Sequence, residues 1–131
     1  MSHTLVNPPA LHDPVPFGYS HVASVSGPLV VVAGQYASDA DGHVVSDDFG
    51  TQVDRSLANL GTALDAVDLD FRHVVQLRTY VVDLDADKLG ILVERLERIW
   101  GGNPPTQTLL GVAGLALPGM AFEVDALAAG T

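Results

Sequence analysis

The sequence predicts an α+β domain in which short strands alternate with two amphipathic helices. Segments 49–67 and 89–100 carry apolar residues at steps of three and four, the period of a helix with one buried face. The segments around them are β-branched runs bounded by Gly, Pro and Asp, which is typical of strands and turns. With 131 residues, 47% of them hydrophobic, the chain can bury one core without disulfides. We therefore expect a single domain over residues 1–131 with the order βββ-α-β-α-ββ.

The first third of the chain predicts an irregular arm followed by three strands. Residues 1–16 are rich in proline and polar side chains, which favours an irregular segment. Two β-branched runs at 21–25 and 29–33 flank a Ser-Gly-Pro sequence, and this pattern predicts a hairpin. The turn sequence Asp-Ala-Asp-Gly at 39–42 precedes a third short strand, expected at 43–45.

Both predicted helices have recognisable ends. Asp47 or Asp48 lies at the expected N-cap of the first helix, where a carboxylate accepts hydrogen bonds from free backbone amides. The Gly-Gly pair at 101–102 stops the second helix, and the Pro-Pro pair at 104–105 prevents it from continuing.

Three further strands are expected at 74–82, 107–112 and 121–127, where apolar residues dominate or alternate with polar ones. A single mixed sheet with both helices on one face is the economical arrangement of these elements. The other face of the sheet would then be exposed unless copies of the chain pack against it.

Composition excludes several classes of function. The chain has no cysteine, so disulfides, thiolate metal sites and cysteine nucleophiles are excluded. The net charge is −10, and the six basic residues form no cluster, so neither nucleic acid nor an anionic membrane is an expected partner. The N-terminus lacks a basic region followed by an apolar run, so we expect no secretory signal and a cytoplasmic location.

No metal or nucleotide site is expected from the motifs. The chain has no HExxH sequence, no histidine pair at ligand spacing and no glycine-rich phosphate loop. The acidic segment at 39–42 lacks the later ligands of a calcium loop and is interpreted as a turn. We therefore expect a protein without a cofactor.

Six segments, taken in order, match the motifs of one known family. They read GYSHV at 18–22, LVVVAGQ at 29–35, QVDRSLANL at 52–60, VVQLRTYVVD at 74–83, a tryptophan ending the second helix, and PPTQTLLGV at 104–112 followed by FEVDALA at 122–128. On these motifs the chain resembles the RidA/YjgF family of small imine and enamine deaminases, also described as endoribonuclease L-PSP-like. The resemblance spans about residues 17–128.

The resemblance implies a chorismate-mutase-like (YjgF-like) fold and a homotrimer with a small-molecule site between subunits. In deaminating members a tyrosine lines the site, and a glutamate on the last strand positions the attacking water with a backbone carbonyl. Tyr19 and Glu123 match these two residues and are the expected catalytic residues. Gly34 matches the glycine beside the pocket.

The chain departs from the family where the substrate carboxylate is bound. Gln107 stands where deaminating members have an arginine, and Leu109 replaces a residue that is often cysteine. A guanidinium binds a carboxylate through two charged donors, whereas a carboxamide is neutral. The chain therefore resembles an arginine-less branch of the family, with weak recognition of 2-imino acids.

Two further residues are candidates for ligand binding. His21 follows the pocket tyrosine and could donate a hydrogen bond to a ligand. Arg78 could replace the missing cation, although an ion pair with a carboxylate on a subunit face is the alternative. The remaining histidines are expected at the surface: His3, His12, His43 and His73.

Three functions remain open at this point. The first is cofactor-free hydrolytic deamination of a small imine or enamine other than the usual 2-imino acids. The second is a trimeric ligand-binding or regulatory module without catalysis. The third and weakest is an endoribonuclease, which the acidic composition opposes. Each residue also has a purely structural alternative, such as packing at a subunit joint for Tyr19 or a solvated strand position for Glu123.

Overall fold

The structure, a computed structural model, describes residues 2–130, and within them six strands and two α-helices. They are β1 (His3–Val6), β2 (Val22–Val25), β3 (Leu29–Gln35), α1 (Phe49–Asp65), β4 (Val74–Val82), α2 (Ala86–Trp100), β5 (Thr106–Val112) and β6 (Phe122–Ala129). Short 3-10 helices lie at Val15–Phe17 and Phe71–His73.

Four strands form the main sheet, in the order β3-β6-β4-β5. The β4–β5 pair is parallel and is joined through α2, whereas β6 runs antiparallel to both β3 and β4. The α+β fold with a mixed sheet and two helices on one face is therefore confirmed.

The core lies between the helices and one face of the sheet. Its largest fully buried side chains alternate along the strands and recur every three or four residues in the helices, as Leu77, Phe122, Leu60, Leu64, Leu92 and Leu96 do. The opposite face of the sheet is open, and there the side chains of Leu29 and Val31 are 57% and 76% exposed.

The amino-terminal strands differ from the expected hairpin. β1 lies inside the segment predicted to be an irregular arm, and it pairs antiparallel with β2 as a separate two-stranded sheet. β3 pairs with β6 instead of β2. The physical reason lies at Gly27, whose φ of 85° turns the chain while Ser26 N donates to Ser2 O at 2.8 Å and Gly130 N donates to Pro28 O at 2.8 Å. Residues near both ends of the chain therefore form hydrogen bonds with the segment that was predicted to be the hairpin turn.

The third predicted strand, at 43–45, is also wrong, because Val44 makes only an isolated bridge to Ser38. The Asp39 carboxylate accepts hydrogen bonds from the backbone amides of Asp41 and His43, both at 2.9 Å. These local bonds occupy amides that a strand would need for pairing.

Capping carboxylates fix where both helices begin. Asp48 accepts from the Thr51 amide at 2.9 Å at the start of α1, as one of the two predicted caps, and Asp85 accepts from Lys88 N at 2.8 Å at the start of α2. Gly101, with a φ of 55°, ends α2. Within residues 2–130, no helix is long and apolar enough to span a membrane.

A buried glutamine holds the entry to β6. Gln52 on α1 is 1% exposed, and its side-chain amide donates to the carbonyls of Ser46 and Gly119, both at 2.8 Å. Its Oε1 accepts from Ala121 N at 2.8 Å. The bonds to Gly119 and Ala121 tie the loop before β6 to α1, and they thereby set the position of Glu123, two residues after Ala121. The bond to Ser46 ties the segment before α1 to the same side chain.

Candidate functional site

The loop that carries Tyr19 is fastened to the start of β5. Ser20 is buried, its hydroxyl donates to Pro104 O at 2.6 Å, and its amide donates to Pro105 O at 3.0 Å. Gly18 adopts a φ of 87° next to α2, where a Cβ would lie 3.4 Å from Leu96. This turn is left-handed, a conformation that favours glycine. The fastening places Tyr19 beside the strand that bears Gln107.

A histidine that we expected simply at the surface joins this loop. His12 is exposed, yet its Nε2 lies 2.6 Å from the Tyr19 hydroxyl. Its backbone carbonyl lies 2.8 Å from Nε2 of His21. The three rings meet edge to face, with centroids 4.8 Å apart for the two histidines and 5.6 Å apart for Tyr19 and His21. The structure therefore brings Tyr19 and His21 together and adds His12, which sequence reasoning missed.

Gln107 lies on the helix-facing side of β5, because its Cα pairs with that of the core residue Leu77. Its Oε1 accepts a hydrogen bond from the hydroxyl of Thr79 at 3.0 Å. Thr79 is fully buried on β4 and pairs with Leu109, which packs against the core. Gln107 and Leu109 thus lie next to each other along one side of the sheet edge.

Two open cavities flank Tyr19 and Gln107. One, of about 620 Å³, lies between β5 and α2 and is lined mainly by apolar side chains, including Leu89, Leu92, Val93 and Leu96. The other, of about 720 Å³, lies toward β2 and includes Ser20, His21 and Gln76. Among residues 2–130, no lysine or arginine lines either cavity. In the described part of the chain, no fixed positive charge therefore lies beside Gln107, where the family motif has an arginine.

Glu123 lies with Gly34 on the open face of the sheet. A Cβ added to Gly34 would lie only 1.9 Å from Oε2 of Glu123, so the carboxylate rests directly on the glycine backbone. Burial raises the pKa of the Glu123 carboxyl, and the negative charge of Asp125 raises it further. Within the described part of the chain, Glu123 accepts no hydrogen bond and forms no salt bridge, which leaves its oxygens available to water or a ligand.

Arg78 is also on the open face, where Asp125 binds it. Its Nε donates to Oδ1 of Asp125 at 2.9 Å, and the Tyr80 hydroxyl donates to Oδ2 of the same carboxylate at 2.8 Å. The hydrogen bond to Asp125 raises the pKa of Arg78, which stays charged. Arg78 and Gln107 point to opposite faces of the sheet, so Arg78 does not fill the missing-arginine position within one chain.

The predicted site residues thus form two groups within the chain. Tyr19, His21, Gln107 and Leu109 lie together near α2 and the edge strand. Gly34, Glu123 and Arg78 lie together on the open face. The sheet itself separates the two groups.

Two other histidines, His73 and His43, lie outside both groups of predicted site residues. His73 is 9% exposed, not at the surface as expected, because its Nδ1 accepts a hydrogen bond from Asp70 N at 3.1 Å. Asp39, Asp41 and His43 have ligand-type atoms within 4.8 Å of one another, the one such grouping in the part of the chain described. The Asp39 carboxylate already accepts two backbone hydrogen bonds within this segment, so we interpret the segment as a turn.

The sequence of the chain is similar to a known protein family and to one of its curated relatives. The sequence profile of the endoribonuclease L-PSP family matches residues 12–130. Protein DfrA from Myxococcus xanthus is 34% identical over 113 residues, covering 84% of this chain and 83% of that protein.

Two solved structures show the same fold. YyfB, a Rid-family protein of unknown function from Yersinia pestis, superposes with a TM-score of 0.93 at 34% identity, covering 98% of this chain and 99% of that one. Rv2704 from Mycobacterium tuberculosis, a member of the YjgF/YER057c/UK114 family, superposes with a TM-score of 0.67 at 28% identity, covering 98% and 99%. The chain therefore belongs to the RidA/YjgF family, whose sequence profile is that of endoribonuclease L-PSP.

Proposed function

We propose that the protein is a cofactor-free hydrolase of a C=N or enamine group in a small metabolite that lacks a free carboxylate. The observation that carries the proposal is the Glu123 carboxylate, which lies against Gly34 with a raised pKa and without an intramolecular donor among residues 2–130. A half-buried carboxylate of this kind is suited to accept a proton from water near neutral pH.

The proposed reaction consumes one water molecule and proceeds in two steps. A water oxygen attacks the imine carbon and gives a proton to the Glu123 carboxylate, while the C=N electron pair moves to nitrogen. That proton is passed to the nitrogen, which gives a neutral carbinolamine and regenerates the carboxylate. Glu123 then takes the proton of the carbinolamine hydroxyl as the carbonyl forms and the C–N bond breaks, and this second proton reaches the nitrogen, which leaves as ammonia.

Tyr19 is the group proposed to orient the nitrogen end of the substrate. Its hydroxyl is held by Nε2 of His12 at 2.6 Å, and it lines both cavities beside Gln107. A positioned phenol can donate a hydrogen bond to the substrate and pass a proton to the leaving nitrogen. His12 then serves to fix the hydroxyl, and His21 completes the polar side of this cluster.

We further propose that the working form is a homotrimer with the ligand at the subunit interface. The two groups of site residues lie on opposite faces of the sheet, so a site that uses both needs two copies of the chain. The exposed apolar side chains of Leu29 and Val31 on the open face support burial against another copy. In this arrangement Glu123 and Gly34 of one subunit would face Tyr19 and Gln107 of the next.

The charge distribution favours a substrate without a free carboxylate. No cation lines the cavities at Gln107 among residues 2–130, and the chain carries a net charge of −10. A desolvated carboxylate without a counter-charge is strongly disfavoured, and the negative field of the protein opposes the approach of anions.

A second candidate is a ligand-binding or regulatory module without turnover. The largely apolar cavity between β5 and α2 favours it, because Glu123 does not reach that cavity within one chain. The endoribonuclease alternative is the weakest, since the six basic residues offer no cluster for a phosphate backbone.

The experiment that tests the proposal follows imine hydrolysis in two inactive variants and in their mixture. Imines are formed from neutral 2-oxo amides in ammonia buffer, and loss of the C=N absorbance is followed after dilution. We expect Glu123→Gln and Tyr19→Phe each to lose turnover while the oligomer size in gel filtration stays unchanged. Refolding the two variants together should restore part of the activity, because some interfaces then contain both native residues. Ligand-dependent stabilisation of the native protein without any turnover would support the binding module instead.

A further inference from the structure

We infer that Thr79 and Gln107 together form an oriented hydrogen-bond donor that selects ligands with a neutral carbonyl acceptor, such as an amide, ester or ketone oxygen. The inference rests on the proposed function in one respect: it takes the cavity beside Gln107 as the substrate site. It assigns Thr79 as a positioning residue, which acts on the ligand through Gln107.

The hydroxyl of Thr79 fixes which end of the Gln107 carboxamide faces the cavity. A threonine hydroxyl has a single proton to donate, and that of Thr79 is donated to Oε1 of Gln107 at 3.0 Å. Thr79 is fully buried in the centre of β4, so no solvent molecule competes for the bond. A carboxamide whose oxygen is held in this way presents its NH₂ group at the other end. In residues 2–130 that NH₂ group donates to no protein acceptor.

The surroundings of Gln107 make this donor selective. Leucine and valine side chains form half of the lining of the cavity between β5 and α2, including Leu109, which lies two residues after Gln107 on the same strand. The rings of His12 and Tyr19 also line this cavity. Gln107 is half-buried, so water can reach its NH₂ group while the cavity is open. A ligand that displaces this water must supply an acceptor oxygen in its place, because a donor left without a partner in apolar surroundings is costly. A ligand that brings only a donor does not remove that cost.

The same geometry discriminates against a carboxylate. Its oxygens are acceptors, but the NH₂ group is neutral and no lysine or arginine of the described residues lines the cavity. The ligand would therefore lose its hydration without gaining a counter-charge. We expect the native protein to bind an amide or ester at least about tenfold more tightly than the matched carboxylate, because only the carboxylate gives up the hydration of a full charge without a counter-charge.

The test uses three probes of the same carbon skeleton: 2-oxobutanoate, 2-oxobutanamide and methyl 2-oxobutanoate. Dissociation constants are measured by calorimetry on the intact oligomer. The ester carries acceptors only, so it distinguishes a donor at Gln107 from an acceptor. The native protein should bind amide and ester and discriminate against the carboxylate. Gln107→Glu, which is isosteric but offers no donor when ionised, should lose binding of the ester.

Thr79 is tested by a matched pair of variants. Thr79→Val keeps the volume but removes the hydroxyl, so Gln107 is free to turn, and the amide-over-carboxylate preference should fall about fivefold, the value of one hydrogen bond. Thr79→Ser keeps the hydroxyl and should keep the preference. A readout without any ligand is the side-chain NH₂ resonance of Gln107 in a ¹H–¹⁵N spectrum, which should move in Thr79→Val and stay in Thr79→Ser.

The outcomes separate this inference from the proposed hydrolase. Equal binding of amide, ester and carboxylate, or a preference that Thr79→Val leaves unchanged, would overturn the inference, and so would failure of all three probes to bind. Turnover by the native protein would be untouched by those results. Conversely, the predicted binding pattern together with a complete lack of imine hydrolysis would uphold the inference and overturn the hydrolase.

Discussion

Gly34→Ala should disable the Glu123 carboxylate without disturbing the fold. The added Cβ would lie 1.9 Å from Oε2 and 2.8 Å from Cδ of Glu123, and a non-bonded contact needs about 3.5 Å. The carboxylate must therefore move by roughly 1.5 Å, which its rotatable side chain allows. Gly34 has no left-handed φ, so alanine itself is tolerated there. A misplacement of about 1 Å in catalytic machinery costs on the order of 100-fold in rate, and we expect a loss of that size.

The assay has one readout that does not depend on the substrate. The carboxyl carbon of Glu123 is titrated by ¹³C NMR, because burial raises the pKa of this group in the native protein. Displacement toward water should lower that pKa, and the acidic limb of any pH–rate profile should then move to lower pH, since the ionised form is the base.

The matched control is Gly111→Ala, a second strand glycine without a left-handed φ, where the added Cβ meets Leu84 at an ordinary 3.4 Å. It should change neither the Glu123 titration nor turnover. The reasoning is refuted if Gly34→Ala leaves the Glu123 pKa and the rate as they are in the native protein, or if it unfolds the chain.

Three further changes test the fold, the assembly and the site. Gln52→Leu removes three hydrogen bonds, two to the loop before β6 and one to Ser46 before α1, and should lower the free energy of unfolding by about 2–4 kcal/mol, measured by urea denaturation. Val31→Asp puts a charge on the open face and should shift the oligomer toward monomer in analytical ultracentrifugation, whereas Val67→Asp, in the exposed turn after α1, should not. Glu123→Gln should stabilise the protein at pH 7: a carboxyl whose folded pKa is raised loses stability as pH rises above its unfolded pKa, so the gain should vanish below about pH 4, where both states are protonated.

The elements predicted well from the sequence are those whose pattern is long. The period of α1 and α2 and the alternation of β4 each extend over nine or more residues, and this length makes the buried face evident. The pairing partners of the short strands could not be predicted from the sequence. The four-residue β2 pairs with β1, and β3 pairs with the distant β6, because tertiary contacts decide between alternatives that local propensity leaves equal.

The candidate site could be predicted only in part. The motifs around Tyr19 and Glu123 supplied the residues, but not the fact that the sheet separates them within one chain. His12 was missed because its approach to Tyr19 depends on the left-handed turn at Gly18. Thr79 left one signal in the sequence, a hydroxyl among apolar residues on the buried face of β4, and its partner Gln107 became evident only from the strand register.

The most direct test of the central claim compares hydrolysis of two imines by two proteins. The imines of 2-oxobutanamide and 2-oxobutanoate are formed in ammonia buffer, and their decay after dilution is followed with the native protein and with Gln107→Arg. We predict that the native protein hydrolyses the amide imine and leaves the acid imine near its uncatalysed rate, and that Gln107→Arg reverses this preference. Faster hydrolysis of the acid imine by the native protein, or no hydrolysis of either imine by either protein, would contradict the account.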